Sequence, residues 1–281
     1  MAVFAAAILL STSGLTIKLL DWHPLVITGI RSFIAAVFLL VIRFIAVPPK
    51  NVKNRPVPLF ATAFMFAFMM IAFVSANKFT TAANAVLLLY SAPVWAALLG
   101  WRLIKEKPGW ENWGALVFIF AGMALFLRDG LGRGSLFGDG LAVLAGIFFA
   151  SFSVFTRMLK DGNPGDAMLL AHIICAIIGI PFIFLFPPEI TASSLLVIFY
   201  MGIIQIGLAS ILFAYGLKRV RAVQALLIST VEPLLNPVWV FVITGEKPAL
   251  AAVTGGAIII AAVLASSIIG KRRENRHNQF S

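Results

Sequence analysis

Blocks of about twenty apolar residues, set apart by short polar punctuation, run along the whole of this chain. A bilayer core about 30 Å thick takes about 20 helical residues to cross, so each block is long enough for one crossing. The blocks cover Ala2–Leu20, Pro24–Val47, Leu59–Asn77, Ala82–Leu103 and Trp110–Leu127, then Gly138–Met158, Asp166–Phe186, Ser193–Leu217, Ala222–Ile243 and Pro248–Gly270. Between them stand turn formers: Pro48-Pro49, the Gly130/Gly132/Gly134 run, Gly162-Asn163-Pro164 and Pro187-Pro188. No linker is long enough for a soluble domain. The pattern predicts an all-α integral membrane protein with ten transmembrane helices.

Composition agrees. Of 281 residues, 61% are hydrophobic and 12% charged, and mean hydropathy is +1.01. A soluble domain carries about a quarter charged residues to face water, so most of this surface must face lipid. The net charge of +11 invites a nucleic-acid reading, and position excludes it, because Lys and Arg punctuate the apolar blocks and form no basic face. They instead report orientation, since basic residues stay on the cytoplasmic side. With the N-terminus inside, sixteen of the 22 fall in inner loops and the tail, including Arg43, Arg102, Arg157, Lys218 and the KRRENRH run. Lys18, Lys78, Arg128, Arg133 and Lys247 fall outside, and Arg31 lies within helix 2. Both termini are therefore expected in the cytoplasm of a bacterial inner membrane. The first block lacks a basic n-region and a small-residue cleavage site, and is expected to be retained. Cys175, alone, cannot form an intramolecular disulfide and reads as a packing residue.

A shift of 140 residues lays the chain on itself. STSGLTIKLLDWHP from Ser11 falls over SFSVFTRMLKDGNP from Ser151, Phe73 over Phe213, Lys78 over Lys218, Pro93 over Pro233, and Glu106-Lys107-Pro108 over Glu246-Lys247-Pro248. The offset never changes, which chance likeness between greasy helices would not produce. Each unit holds five helices, an odd number, so the second unit is expected upside down relative to the first. Inverted repeats with a midplane site at their interface are characteristic of transporters. The expected units are 1–134 and 135–270, followed by a basic cytoplasmic tail, 271–281.

On these features the chain resembles the EamA-type branch of the drug/metabolite transporter superfamily. The resemblance rests on STSGLTIK followed by Pro24 and Arg31, on the Pro-then-Glu spacing in each unit, and on Glu232-Pro233. One departure is Leu10, where a Trp often precedes the Ser/Thr run. The resemblance implies ten helices, a central cavity lined mainly by helices 1, 3, 4, 6, 8 and 9, and peripheral helices 5 and 10. It also implies export or exchange of metabolites, with no particular substrate.

Ionisable residues deep in a membrane are costly and point to function. Glu232 lies about ten residues into helix 9, roughly 15 Å deep, and shares a face with Ser229 and Asn236. It either binds a cationic group or a proton, or braces packing beside Pro233. Asn84, Tyr90, Ser91 and Trp95 on helix 4, Ser13 with Thr16 on helix 1, Ser153 on helix 6, Gln205 and Tyr215 on helix 8, and Trp239 are candidate substrate-binding residues. The alternative for each is interhelical bonding or a bond back to its own helix. Arg31 and Lys18, read near the external face, are candidate gates, or else pair with Asp21 or snorkel to the interface. His172 is read as an interior histidine or a proton relay. Ala257, Ala261 and Ala265 make a small-residue stripe expected to pack on helix 5 or on a second copy.

No HExxH helix, phosphate loop or metal-spaced Cys or His pair is present in the sequence, so neither a metal nor another cofactor is expected. The leading expectation is a secondary transporter, monomeric or homodimeric, that exports or exchanges amino acids or related small metabolites by alternating access, with a proton as the coupling ion. The other class is an intramembrane enzyme or scramblase acting on a lipid-linked substrate, which would need a second acid or a nucleophile–base set beside Glu232.

Overall fold

The computed structural model describes residues 1–45, 55–126, 135–159, 162–235, 239 and 250–279. Among these the regular elements are all helices. They are α1 (Ala2–Leu10), α2 (Ser13–Leu19), α3 (Pro24–Ile45), α4 (Pro56–Phe79), α5 (Ala82–Leu89), α6 (Ala92–Ile104), α7 (Trp110–Phe126) and α8 (Leu136–Met158). There follow α9 (Pro164–Gly179), α10 (Phe182–Leu185), α11 (Ala192–Tyr200), a π-helical segment (Met201–Leu208), α12 (Ala209–Leu217) and α13 (Ala222–Ser229). A helical stretch α14 covers 231–235, and α15 covers Leu250–Gln279.

Seven runs are long and apolar enough to cross a membrane: Ala2–Leu19, Pro24–Ile45, Pro56–Phe79, Asn84–Ile104, Leu136–Met158, Pro164–Leu185 and Ala192–Leu217. Three shorter apolar helices, Trp110–Leu125, Ala222–Leu235 and Val253–Ser266, accompany them. Each overlaps one of the apolar blocks. The protein is thus a multi-pass helical membrane protein.

Local chemistry starts and stops these helices. The side chains of Thr81, Ser135 and Asn163 accept backbone N–H bonds at the starts of α5, α8 and α9, satisfying donors that a first turn leaves free. Thr191 and Ser194 form a reciprocal capping box on α11. Lys105 ends α6 in the left-handed region, φ 57°.

The helices pack as a bundle in which α4 lies along α8 and α9, α3 along α9 and the π segment, α12 along α1, α6 along α8 and α13, and α7 along α15. At the α3–α9 crossing the backbones touch. A Cβ on Gly29 would lie 2.6 Å from the Gly179 carbonyl carbon, and one on Gly179 would lie 2.5 Å from Gly29 Cα. Only paired glycines allow that approach, and in lipid such close packing is a main source of helix association.

The α7–α15 contact uses a different face of α15 from the alanine stripe. Gly122 packs on Gly255 and Ile259, and Ser266 Oγ donates to Asn112 Oδ1 at 3.2 Å. Ala257, Ala261 and Ala265 are exposed. The helix-5 half of that expectation is corrected: glycine offers closer approach than alanine, and the buried face is the one that carries it.

Polar ties gather the helix ends into two groups. In one, Lys78 Nζ donates to the Leu20 carbonyl at 2.6 Å and Trp22 Nε1 to the Glu189 carbonyl at 3.0 Å, while His23 stacks on Phe186 with ring centroids 4.1 Å apart. In the other, Arg43 pairs with Asp166 and Lys218 Nζ donates to the Gly162 carbonyl at 2.8 Å. Also there, Arg157 donates from Nε to Glu106 Oε1 at 2.9 Å and from Nη1 to the Lys218 carbonyl at 2.9 Å.

Candidate functional site

Three apolar helices are interrupted, and the interruptions meet. Ser11-Thr12 separates α1 from α2, Tyr90-Ser91 separates α5 from α6, and Thr230 separates α13 from α14. The last break follows from Pro233. Proline has no N–H, so the carbonyl four residues back, that of Ser229, loses its helical partner. An orphaned carbonyl inside a membrane must find a donor. It finds the Tyr90 hydroxyl at 2.6 Å.

The same hydroxyl lies 2.9 Å from Glu232 Oε2, and Ser13 Oγ lies 3.5 Å from Oε1. A phenol has one proton to give, and an ionised carboxylate only accepts. When Glu232 is ionised, Ser229 and Glu232 therefore compete for the Tyr90 proton. When Glu232 is protonated, its own O–H can donate to the phenol oxygen while the phenol serves Ser229, and both acceptors are satisfied. The proton count on Glu232 thus decides the bonding at the break of its own helix.

Glu232 and Ser13 line a cavity of about 50 Å³. Its wall is mostly apolar, built from Phe66, Met69, Met70 and Phe73 of α4, Phe149 and Phe152 of α8, and Phe213 of α12. Lining residues come from the helices that the resemblance implied, and α3 adds Arg31. Arg31 is 1% exposed. It sits inside the bundle, because α3 is buried on that face against α4 and α9.

A polar network flanks the cavity. Gln205, within the π segment, donates from Nε2 to Thr12 Oγ1 at 2.8 Å and to Thr16 Oγ1 at 3.0 Å. Thr12 Oγ1 also lies 3.0 Å from the Tyr200 hydroxyl, and Trp239 Nε1 donates to Ser11 Oγ at 2.7 Å. π segments inside α-helices recur at functional sites, and this one aims Gln205 at the break in helix 1.

Of the residues singled out by sequence, Glu232, Tyr90, Ser13 and the Ser229 carbonyl meet directly, and Gln205 and Trp239 reach the same break in helix 1. Ser229 Oγ itself bonds back to the Ala225 carbonyl at 2.9 Å. Ser91 accepts from Trp95 Nε1 at 3.1 Å within their own helix. Asn84 stands apart from the cavity, donating to Asp139 Oδ1 at 3.1 Å beside Thr80. Ser153 bonds back to the Phe149 carbonyl at 2.8 Å. Tyr215 is exposed and carries the Arg219 guanidinium over its ring. Lys18 is exposed. Asn236 lies outside the described residues, as do Glu246 and Lys247. His172 is fully buried, 3.4 Å from Ser210 Oγ and edge-on to Phe66. Thr12 and Tyr200 were missed; the hydroxyl run Ser11-Thr12-Ser13 was the available signal for the first.

A multi-pass helical bundle whose broken helices enclose a cavity with a carboxyl group on its wall is the architecture of a membrane transporter. The sequence model of the EamA-like transporter family matches residues 1–128 and again 136–268, and the chain belongs to that family. It is similar to the uncharacterized transporter YwfM of Bacillus subtilis, 27% identical over 234 residues that cover 80% of this chain and 78% of that one. An uncharacterized transporter of Archaeoglobus fulgidus is 26% identical over 269 residues, 94% of each chain. One solved crystal structure shares the fold with a TM-score of 0.81 at 20% identity over 97% of each chain.

Proposed function

We propose that this chain is a secondary transporter that exports or exchanges amino acids or related small metabolites by alternating access, with Glu232 as the proton-coupling residue. The observation that carries the reading is the Glu232–Tyr90–Ser229 contact at the cavity wall. It ties the protonation of one carboxyl group to the bonding of a broken helix. A proton arriving from one side would relax that break, and one leaving toward the other would strain it.

The working unit in this reading is ten helices in two inverted five-helix repeats, 1–134 and 135–270, with the tail 271–281 and both termini in the cytoplasm of a bacterial inner membrane. Several observations support it. The family matches the chain twice. The helix breaks at Tyr90 and Thr230 stand 140 residues apart. Lys78 and Lys218 each donate to carbonyls beyond the C-terminal ends of repeat-related helices, a favourable place for a cation. The packing pairs also exchange under the shift: α4 on α8 corresponds to α12 on α1, and α4 on α9 to the π segment on α3.

The test is Glu232→Gln in proteoliposomes. The amide keeps size and hydrogen bonding and removes titration. The variant is expected to fold and to lose transport driven by a pH gradient while retaining exchange. Full pH-driven flux through a well-folded variant would remove Glu232 from the mechanism.

A further inference from the structure

Among the described residues, Arg31 is a cation without an anion. It is 1% exposed, its Nε has no hydrogen-bond partner, and its Nη2 reaches only the Met70 sulfur at 3.1 Å. Among the described residues, the ionisable groups near enough to feel it are His172 and Cys175 of α9, and neither is a carboxylate. Charges so deep are normally paired, since an unpaired one forfeits its hydration with nothing in return. Arg31 lines the same cavity as Glu232, and the two form no ion pair among the described residues. One fixed cation and one carboxyl group therefore stand apart on the wall of one otherwise apolar chamber.

We infer that Arg31 is the anion subsite of this cavity, and that the solute carried is a compact zwitterion. Once the cavity opens beyond its volume here of about 50 Å³, the solute's carboxylate would lie on the Arg31 guanidinium and its ammonium on Glu232, with its apolar body against Phe66, Phe73, Phe149 and Phe213. The inference rests on the cavity being the transport site. The guanidinium's planar donor fork suits a carboxylate, and Met70 leaves Nε free for it. A phosphate dianion fits less well, because one cation would leave net negative charge buried. An ammonium ion and a proton would compete for the same Glu232 carboxylate, which links substrate occupancy to proton occupancy by chemistry already in the site.

Three probes share one apolar body and differ only in charge: L-leucine, 4-methylpentanoate (carboxylate alone) and 3-methylbutylamine (ammonium alone). Their effect on the melting temperature of the purified full chain is measured over a millimolar range for wild type, Arg31→Met and Glu232→Gln. Leucine is expected to bind wild type at least about tenfold more tightly than either fragment, the scale of one charge-assisted hydrogen bond. Arg31→Met should melt at the same temperature or higher, because it removes an unpaired buried charge. It should lose its response to 4-methylpentanoate, bind leucine about tenfold or more weakly, and keep the wild-type response to 3-methylbutylamine. Glu232→Gln should show the reverse selectivity. If Arg31→Met does not fold, Arg31→Lys keeps the charge without the fork, and should weaken both carboxylates severalfold while sparing the amine.

An Arg31→Met protein that melts lower with unchanged affinities would make Arg31 a structural brace and overturn the inference. Wild type that responds to the amine alone, or to none of the three, would overturn it too. Neither result touches the reading of Glu232 as the proton-coupling residue, which fails separately if Glu232→Gln retains pH-driven flux.

Discussion

Replacing Tyr90 with Phe deletes one oxygen from a residue that is 1% exposed and leaves its ring in place. The Ser229 carbonyl, already deprived by Pro233, then loses its donor at 2.6 Å, and Glu232 loses its neighbour at 2.9 Å. Hydrogen bonds between membrane helices average about 0.6 kcal/mol and reach about 1.7, because parted helices find substitutes. Here no second donor to the Ser229 carbonyl is seen among the described residues, so the cost belongs near the upper end, about 1.5 kcal/mol. At about 2–4 °C per kcal/mol for chains approaching this size, melting should fall by roughly 3–6 °C. The sharper measurement is a double-mutant cycle with Glu232→Met in mixed micelles. If hydroxyl and carboxyl interact, the joint effect should depart from the sum by more than the roughly 0.3–0.5 kcal/mol scatter of independent sites. In proteoliposomes, Tyr90→Phe should also shift the pH dependence of flux. Additive stabilities together with an unshifted pH profile would refute the coupling between Glu232 and the helix break.

Two further outcomes follow from packing and titration. Gly122→Leu should sharply lower folded yield, since even a Cβ there would lie 2.8 Å from Ile259 Cγ1 and 2.9 Å from the Gly255 carbonyl oxygen; Ala261→Leu, on the exposed face, should leave yield and melting unchanged, and a loss at Ala261 would place a second copy on that face. His23, half-buried against Phe182 and Phe186, sits below its ordinary value of 6.5 because burial disfavours the charged ring. The unfolded chain therefore takes up that proton first, so the His23 contribution is complete above about pH 6.5 and is lost as pH falls through the lowered value. His23→Phe keeps the stack and should melt with a smaller drop between about pH 7 and about pH 5; an equal drop would exonerate His23.

Hydrophobic periodicity made the apolar blocks legible, because a bilayer imposes length and polarity on every crossing residue. The helix breaks were partly legible. Pro233 announced one, but the interruption at Ser11-Thr12 carries no proline; its hydroxyls bond back to the Ile8 and Leu9 carbonyls and also meet Trp239 and Gln205, far away in sequence. Glu232 stood out as a carboxyl group within an apolar block. Its partnership with Tyr90 was not legible, since 142 residues separate them and no spacing rule spans that distance. Arg31 had a position along its helix but no direction: counting residues from the helix end does not show that α3 turns that face toward α4 and α9. The carboxylate that Asn84 donates to, Asp139, was equally out of reach of any spacing rule.

The Arg157 clasp makes the two ends of the molecule unequal. It joins Glu106 to the last carbonyls of α12, and the residue 140 places earlier is Ile17, which has no charge to offer. A carrier assembled from interchangeable halves would face each compartment for equal time. In the alternating-access reading proposed above, one unmatched clasp worth about 1 kcal/mol would tilt that occupancy roughly fivefold toward the state that keeps its own end shut. On that reading, a single arginine with no counterpart 140 residues earlier would set the direction in which the empty protein waits.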